Sequence, residues 1–272
     1  VFFVCAEGIM IWYLLNSMPG KKNRVWRCIQ YSFIGFFYSG ITPSATGGQP
    51  VQLYYMNKDG NRISDSTVVL MTVAVVYKFV LVVMGAGILI FWHRPLVVEL
   101  RHYFPLFILG LMLNVILVVL ILGVMIFPGI IRKIALFFER LLIRILKFSE
   151  KRVEKMEGFI GNYQKAVGWL GKHKRKLAVV AVLTFLQRCC VFVLTYMVYL
   201  GFGLEGTSAI RVILLQAAVY IAVDMLPLPG AQGITELMYQ AVFSHVFTGI
   251  YLIPSMLVSR GINFYFLLLI SM

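Results

Sequence analysis

Acidic residues are scarce in this chain of 272 residues, where 11 Asp and Glu stand against 25 Lys and Arg and charged residues reach only 13%. Soluble domains carry about a quarter, so the soluble classes are excluded. Catalytic signatures are missing as well. No Gly-x-Ser-x-Gly, His-Glu-x-x-His or P-loop occurs, since Gly20-Lys21 and Gly171-Lys172 lack the upstream glycine spacing. No catalytic residue is therefore assigned. His93, His102, His173 and His245 fall in loops or at the ends of apolar runs. Cys5, Cys28, Cys189 and Cys190 have no metal-ligand spacing and read as small buried hydrophobes. Hence no metal and no cofactor is expected. A cleavable signal peptide and a lipidation motif are also absent.

What is present is apolar: 60% of residues are hydrophobic and the mean hydropathy is +0.87. This describes a polytopic all-α membrane protein. The net charge of +14 does not indicate a nucleic-acid partner, because the basic residues flank apolar runs in the positive-inside pattern. The chain opens at Val1, and its first apolar run, Val1 to Leu15, is short for a crossing. It reads as a fragment forming a single integral membrane domain over 1–272.

Residues 67–92, 103–127 and 177–200 are clean runs of 24 to 26 residues, long enough at roughly 36–39 Å to cross a ~30 Å hydrocarbon core with some tilt. Residues 251–271 qualify too. Two further apolar regions are interrupted midway: 29–56 by Thr42-Pro-Ser-Ala-Thr-Gly-Gly-Gln-Pro50, and 208–247 by Leu226-Pro-Leu-Pro-Gly-Ala-Gln-Gly233. Opened backbone at membrane depth survives only against protein or a water-filled cavity, so both are expected to be re-entrant hairpins. Charge orients them. Lys21, Lys22, Arg24 and Arg27 are unopposed in 16–28, and 128–176 carries 13 Lys and Arg against 4 Glu, a balance of +9. With both stretches cytoplasmic, the hairpins dip in from opposite faces, the layout of an inverted repeat. Within the cytoplasmic segment, Lys133, Arg140, Arg144, Lys147 and Lys151 recur at helical intervals. That spacing predicts a basic amphipathic helix over 128–157, either lying on anionic lipid or merely obeying the sidedness rule.

Lys78 and Arg188 are each the twelfth residue of a clean span, where a cation costs about 2.5–3.5 kcal/mol. Asp224 precedes the second break and Glu236 follows it. One reading is that these four neutralise one another as ion pairs, or that the acids couple a proton or cation. The other is an anion site for a phosphate-bearing lipid, built from Lys78, Arg188 and the half-helix starts around Thr46, Gly47, Gly48, Gln49 and Pro50 and around Gly230, Gly233 and Thr235. Asn114, Gln187 and Gln216 read as hydrogen-bond donors between helices.

The segment Thr42 to Tyr55 resembles the first signature of the lysylphosphatidylglycerol synthase transmembrane, or flippase-like domain, family. Pro229-Gly230-x-x-Gly233-x-x-Glu236 resembles its second, in the same order about 180 residues on. The resemblance implies relatives such as the multiple peptide resistance factors, whose membrane part moves aminoacylated phosphatidylglycerol between leaflets while a separate soluble domain makes it. By that resemblance Gly47, Gly48, Pro50 and Glu236 hold the family's positions, whereas Gln49 stands where many members have an acid. That departure puts an aminoacyl-lipid substrate in doubt. The implied setting is a bacterial cytoplasmic membrane, with anionic membrane lipids as partners, room for a separate lipid-modifying synthase, and compatibility with a homo-oligomer. A lipid translocase leads. The membrane part of a phosphatidylglycerol lysyltransferase system, a secondary transporter of a small anion or amino acid, and a non-transporting scaffold stay open beside it.

Overall fold

The computed structural model describes residues 1–42, 46–127, 151–226 and 231–272, with backbone alone over 151–157. The predicted amphipathic helix of 128–157 lies outside the described residues, apart from the backbone of its last turns. Every regular element among the described residues is helical. In apolar surroundings each backbone N–H and C=O must find a partner within its own segment, which is why even the valine-rich stretch 68–83 is a helix.

In chain order the elements are α1 (Phe2–Leu15), α2 (Val25–Ile41), α3 (Gly48–Lys58), α4 (Ile63–Phe91), α5 (His93–Leu100), α6 (Phe104–Ile126), α7 (Lys151–Lys172), α8 (Lys174–Gly201), α9 (Ala209–Val223) and α10 (Ile234–Phe243). The final helix runs as α11 (Leu252–Arg260), a π-helical turn over Gly261–Tyr265, and α12 (Phe266–Ser271). Four stretches are long and apolar enough to cross a membrane: Ile63–Phe91, His93–Ile126, Lys174–Gly201 and Gly249–Ser271. They match the four expected runs, with Trp92 and Phe127 falling one residue outside the first two, and the first three extend into polar flanks that hydropathy alone leaves out. Their outer faces are apolar, with Phe79, Val83, Leu120, Val182, Leu186 and Leu269 all exposed.

Each interrupted region is a helix, a break and a second helix packed back on the first: α2 with α3, and α9 with α10. The first pair is very close. A Cβ on Gly48 would lie 2.6 Å from the Gly35 carbonyl oxygen, and one on Gly35 would lie 2.1 Å from Gln52 Nε2. Glycine at these positions lets two short helices lie backbone to backbone.

Contacts at the helix ends sort the loops into two groups. At one end Arg27 pairs with Asp59 at 2.5 Å, Lys21 donates to the Asp59 carbonyl, Asn23 bonds Asn61 at 2.9 Å, and Lys176 reaches Ser17 Oγ at 2.7 Å. The start of α2, the end of α3 and the start of α8 therefore lie together. At the other end Arg211, opening α9, pairs with Glu99 at 2.5 Å, and the rings of Phe202 and Tyr251 are 5.5 Å apart. Helices α4 and α8 connect these two groups. The outer ends of α2 and α3 thus lie in the first group and the start of α9 in the second. The tips of the two broken pairs meet the last helix near its midpoint: the ring of Phe264 lies 6.3 Å from that of Phe36 on α2, and Arg260 pairs with Glu236 on α10 at 2.8 Å.

Candidate functional site

Lys78 is the sixteenth of 29 residues in α4, and Arg188 the fifteenth of 28 in α8. Both sit at the midpoints of long helices, and the fold brings them into one network. Lys78 Nζ lies 2.5 Å from Asp224 Oδ2 at the end of α9, with Met225 Sδ at 3.2 Å. Tyr77, the neighbouring residue on α4, donates its hydroxyl to Asp224 Oδ1 at 2.7 Å and also meets the Tyr220 hydroxyl at 2.7 Å. A phenol has one proton to give. With that of Tyr77 committed to Asp224, Tyr220 must donate to Tyr77, and Arg188 Nη1 in turn donates to Tyr220 at 3.2 Å. The donors run in sequence from Arg188 through two tyrosines to Asp224, and Lys78 closes the other side.

The two cations are not equivalent. Lys78 is matched by a carboxylate. Arg188 is 2% exposed and stacks over the rings of Phe3 and Tyr77, 4.2 and 4.6 Å from their centroids. Of its five donor hydrogens one is used, Nε has no partner, and no carboxylate lies within salt-bridge distance among the described residues. Aromatic faces attract a guanidinium but do not replace its hydrogen bonds. A buried cation so served is costly, and an incoming anion would relieve it.

Glu236 belongs elsewhere. Its Oε2 accepts the Gly233 N–H at 2.6 Å while its Oε1 takes Arg260 Nε at 2.8 Å. The start of α10, expected to aim bare N–H groups at a ligand, already holds this chain's own carboxylate. Thr235 is buried and gives its hydroxyl to the Ala231 carbonyl at 2.6 Å, so it serves the opened backbone. Gly233 has φ +82° and Ala231 φ +50°, while Gly230 lies outside the described residues. At the first break Thr42 Oγ1 accepts the Gly47 N–H at 2.9 Å and donates to the Tyr38 carbonyl at 2.6 Å. Gly48 is buried against α2, whereas Thr46, Gln49 and Pro50 face outward. Of the expected site residues, the fold therefore joins Lys78, Arg188 and Asp224 in one network, whereas Glu236 bonds Gly233 and Arg260 instead.

Four residues of these networks escape the sequence reading. Tyr77 and Tyr220 flank the predicted ions, Tyr220 one helical turn before Asp224. Arg260 stands in the middle of the last apolar run. Glu7 is the sole acid in the first run, and Gln52 Nε2 donates to its Oε1 at 3.1 Å. A charge inside an apolar run is the same signal that picks out Lys78. Three smaller expectations are corrected. Asn114 donates to Gly110 of its own helix at 2.9 Å rather than across helices; Gln216 donates no hydrogen bond among the described residues, and its carbonyl oxygen is buried without a partner there; and Cys190 is exposed. Gln187 does bridge helices, donating to the Phe3 carbonyl at 2.5 Å. Away from the network, an apolar groove of about 310 Å³ lies between α8 and the last helix, bordered by Leu194, Met197, Phe202, Val258 and Ile262.

A family model described as the lysylphosphatidylglycerol synthase TM region matches residues 1–271. The chain is 32% identical over 228 residues to the UPF0104 membrane protein PH1989 of Pyrococcus horikoshii, an alignment covering 80% of this chain. It spans 66% of the length of that relative. No solved structure matches. With both broken segments inside a match that runs almost from end to end, the chain belongs to the family of lysylphosphatidylglycerol synthase transmembrane regions.

Proposed function

We propose that this protein is a lipid translocase of the cytoplasmic membrane. In this reading Arg188 holds the phosphate of a lipid headgroup, such as that of a phosphatidylglycerol or a polyprenyl phosphate, during its passage between leaflets. The observation that carries the reading is Arg188 itself, a buried guanidinium at the midpoint of a long apolar helix with one hydrogen bond and, among the described residues, no carboxylate within salt-bridge distance. Intramembrane cations cost about 2.5–3.5 kcal/mol, and one that closes no salt bridge keeps its hydrogen-bonding capacity for a ligand. Lys78 is a positioning residue, holding Asp224 so that the two tyrosines keep Arg188 in place.

The broken helices give the headgroup a route. With residues 16–24 cytoplasmic, α2 and α3 dip in from that side and α9 and α10 from the other. Support comes from their end contacts and from a repeated packing order: α1 on α2, α2 on α3 and α3 on α4 is matched by α8 on α9, α9 on α10 and α10 on α11. An inverted pair of this kind alternates access around a fixed central site. Apolar side chains on the outer faces of the helices, and the groove beside α8, suit a ligand whose chains stay in lipid. The family's description refers to a synthase; this reading gives the chain the handling of the lipid and no transfer chemistry.

The test is translocation of fluorescent phosphatidylglycerol in proteoliposomes, scored with a membrane-impermeant quencher. Arg188→Gln is expected to abolish it with unchanged detergent stability, and fluorescent phosphatidylcholine should move at least tenfold more slowly than phosphatidylglycerol. Full translocation by Arg188→Gln overturns the assignment.

A further inference from the structure

Headgroup binding at Arg188 leaves Glu7 unexplained. Its carboxylate lies on α1 and is half-buried, and its one hydrogen bond comes from a neutral amide, Gln52. That amide is fixed: Gln52 is 3% exposed and is pressed onto Gly35. Arg188 is held beside Glu7 without closing on it. Phe3, one turn from Glu7 on the same face of α1, carries the Arg188 guanidinium on its ring, and its carbonyl is tied to Gln187. The Arg188 charge acts on Glu7, yet no salt bridge joins them.

Four ionisable groups therefore share the centre of the bundle: Lys78 and Arg188, Asp224 and Glu7. With all four charged and nothing bound, the sum is zero. A phosphate ester monoanion docking on Arg188 takes it to −1, an unbalanced charge where the dielectric is low. Neutralising one carboxylate restores the balance. Asp224 is poorly placed for that role, because Lys78 and Tyr77 both donate to it. Glu7 has one amide and nothing more.

Resting on the phosphate reading above, we propose that Glu7 is the proton site of this protein, ionised while Arg188 is empty and taking up one proton from water as a phosphate ester monoanion binds. The proton adds to a carboxylate oxygen and returns to water when the ligand leaves, and no other bond changes. Charge is then conserved at the centre, and a proton travels with each headgroup. The elements packed on α1 bring few competing groups. Helix α8 presents Arg188; α4 presents Tyr77 and Lys78, committed to Asp224; α2 presents Cys28, Tyr31 and Arg27, the last two bonded to Asp59; α3 presents the uncharged Gln52. Of these, Gln52 and Arg188 act directly on Glu7.

The experiment is binding of short-chain dihexanoyl phosphatidylglycerol, whose phosphodiester stays monoanionic over about pH 5.5 to 8.5, to the full chain in detergent. Calorimetry in buffers of different ionisation enthalpy counts the protons. Wild type is expected to take up close to one proton per lipid and to lose affinity as pH rises, approaching tenfold per unit. Glu7→Gln should bind without proton uptake, with a flat pH profile and at least tenfold more tightly than wild type at the alkaline end. Zero proton uptake by wild type, a count that needs no variant to fold, overturns the proposal, as does a pH slope retained in Glu7→Gln. If Arg188→Gln binds as wild type does, the phosphate reading fails; if Arg188→Gln loses binding while Glu7→Gln keeps the slope, the proton assignment alone fails. Chain-free glycerophosphoglycerol binding equally well keeps the proton site and makes the ligand a soluble ester. Binding of neither probe overturns both readings.

Discussion

The two broken segments solve one problem by different means. Opening a helix among apolar neighbours strands backbone N–H and C=O groups and demands a polar side chain to steady the returning half. In the second segment that side chain is Glu236, which caps Gly233 and pairs with Arg260 on the last helix. In the first it is Gln52, an amide reaching Glu7 on α1. The glycines differ in the same spirit. Gly48 is required for space, being jammed against Gly35 and Ser39, whereas Gly233 has nothing among the described residues within 4 Å of its Cβ position and is required for its φ of +82°. An ion-paired break is locked to its neighbour. The neutral break leaves Glu7 and Arg188 uncommitted at its edge, and that is where a ligand and a proton have something to gain.

The largest effect should come from Asp224→Asn, which strands Lys78 as a buried cation without its counter-ion. A loss of about 3–5 kcal/mol is expected, read as a large drop in detergent melting temperature. Lys78→Met should cost less, since Tyr77 still donates to Asp224 and a carboxyl can protonate. Lys78→Met with Asp224→Leu should recover much of the loss. A melting temperature unmoved by Asp224→Asn would mean that the pair does not hold α4 on α9.

Next come the glycines, where the comparison itself is at stake. Gly48→Ala should cost about 1–3 kcal/mol through overpacking, and Gly233→Ala about 1–2 kcal/mol through its left-handed backbone. Asparagine separates the causes. Gly233→Asn should regain part of the stability, because Asn tolerates positive φ, while Gly48→Asn should be worse than Gly48→Ala. The reverse order in thermal unfolding would mean that the roles of space and conformation have been exchanged.

Glu236→Gln should have a smaller effect, about 0.5–1.5 kcal/mol, because glutamine still reaches the Gly233 N–H and what is lost is the charge attraction to Arg260. Most of this was legible before any coordinates. Runs of 24 residues announce spans, and clusters such as Pro227-Leu228-Pro229-Gly230 announce breaks, because length and backbone chemistry are local properties. Partner choice is not local. Lys78 and Arg188 are each the twelfth residue of their runs, and only packing gives one a salt bridge and leaves the other without one among the described residues. Asp224 meets Lys78 across 146 residues of chain. The spacing from Gly233 to Glu236 is that of a helix cap, a nearby signal that competes with the reading of Glu236 as a partner for distant cations. Glu7 was hidden differently: a run too short to span draws no attention to the acid within it.

The smallest effect sharpens the comparison at the base of the first segment, where an ion pair does occur but in water's reach. Asp59, in the turn after α3, accepts from Arg27 at 2.5 and 3.0 Å and from the Tyr31 hydroxyl at 2.5 Å. The Arg27 guanidinium beside it is the main cause that lowers its carboxyl from the usual range to about 2. A carboxyl depressed by folding adds stability that is complete above its unfolded value, near 3.8, and fades as pH falls through the folded one. Between about pH 4 and 2 wild type should therefore lose stability that Asp59→Asn lacks at every pH, and the two melting curves should converge at the acid end. Because the Arg27 side chain is 43% exposed, the difference at neutral pH should stay below about 1 kcal/mol and shrink in high salt. An Asp59→Asn effect as large as that of Asp224→Asn would place this pair in a dry environment, and the start of α2 would then lie deeper than the cationic loop before it implies.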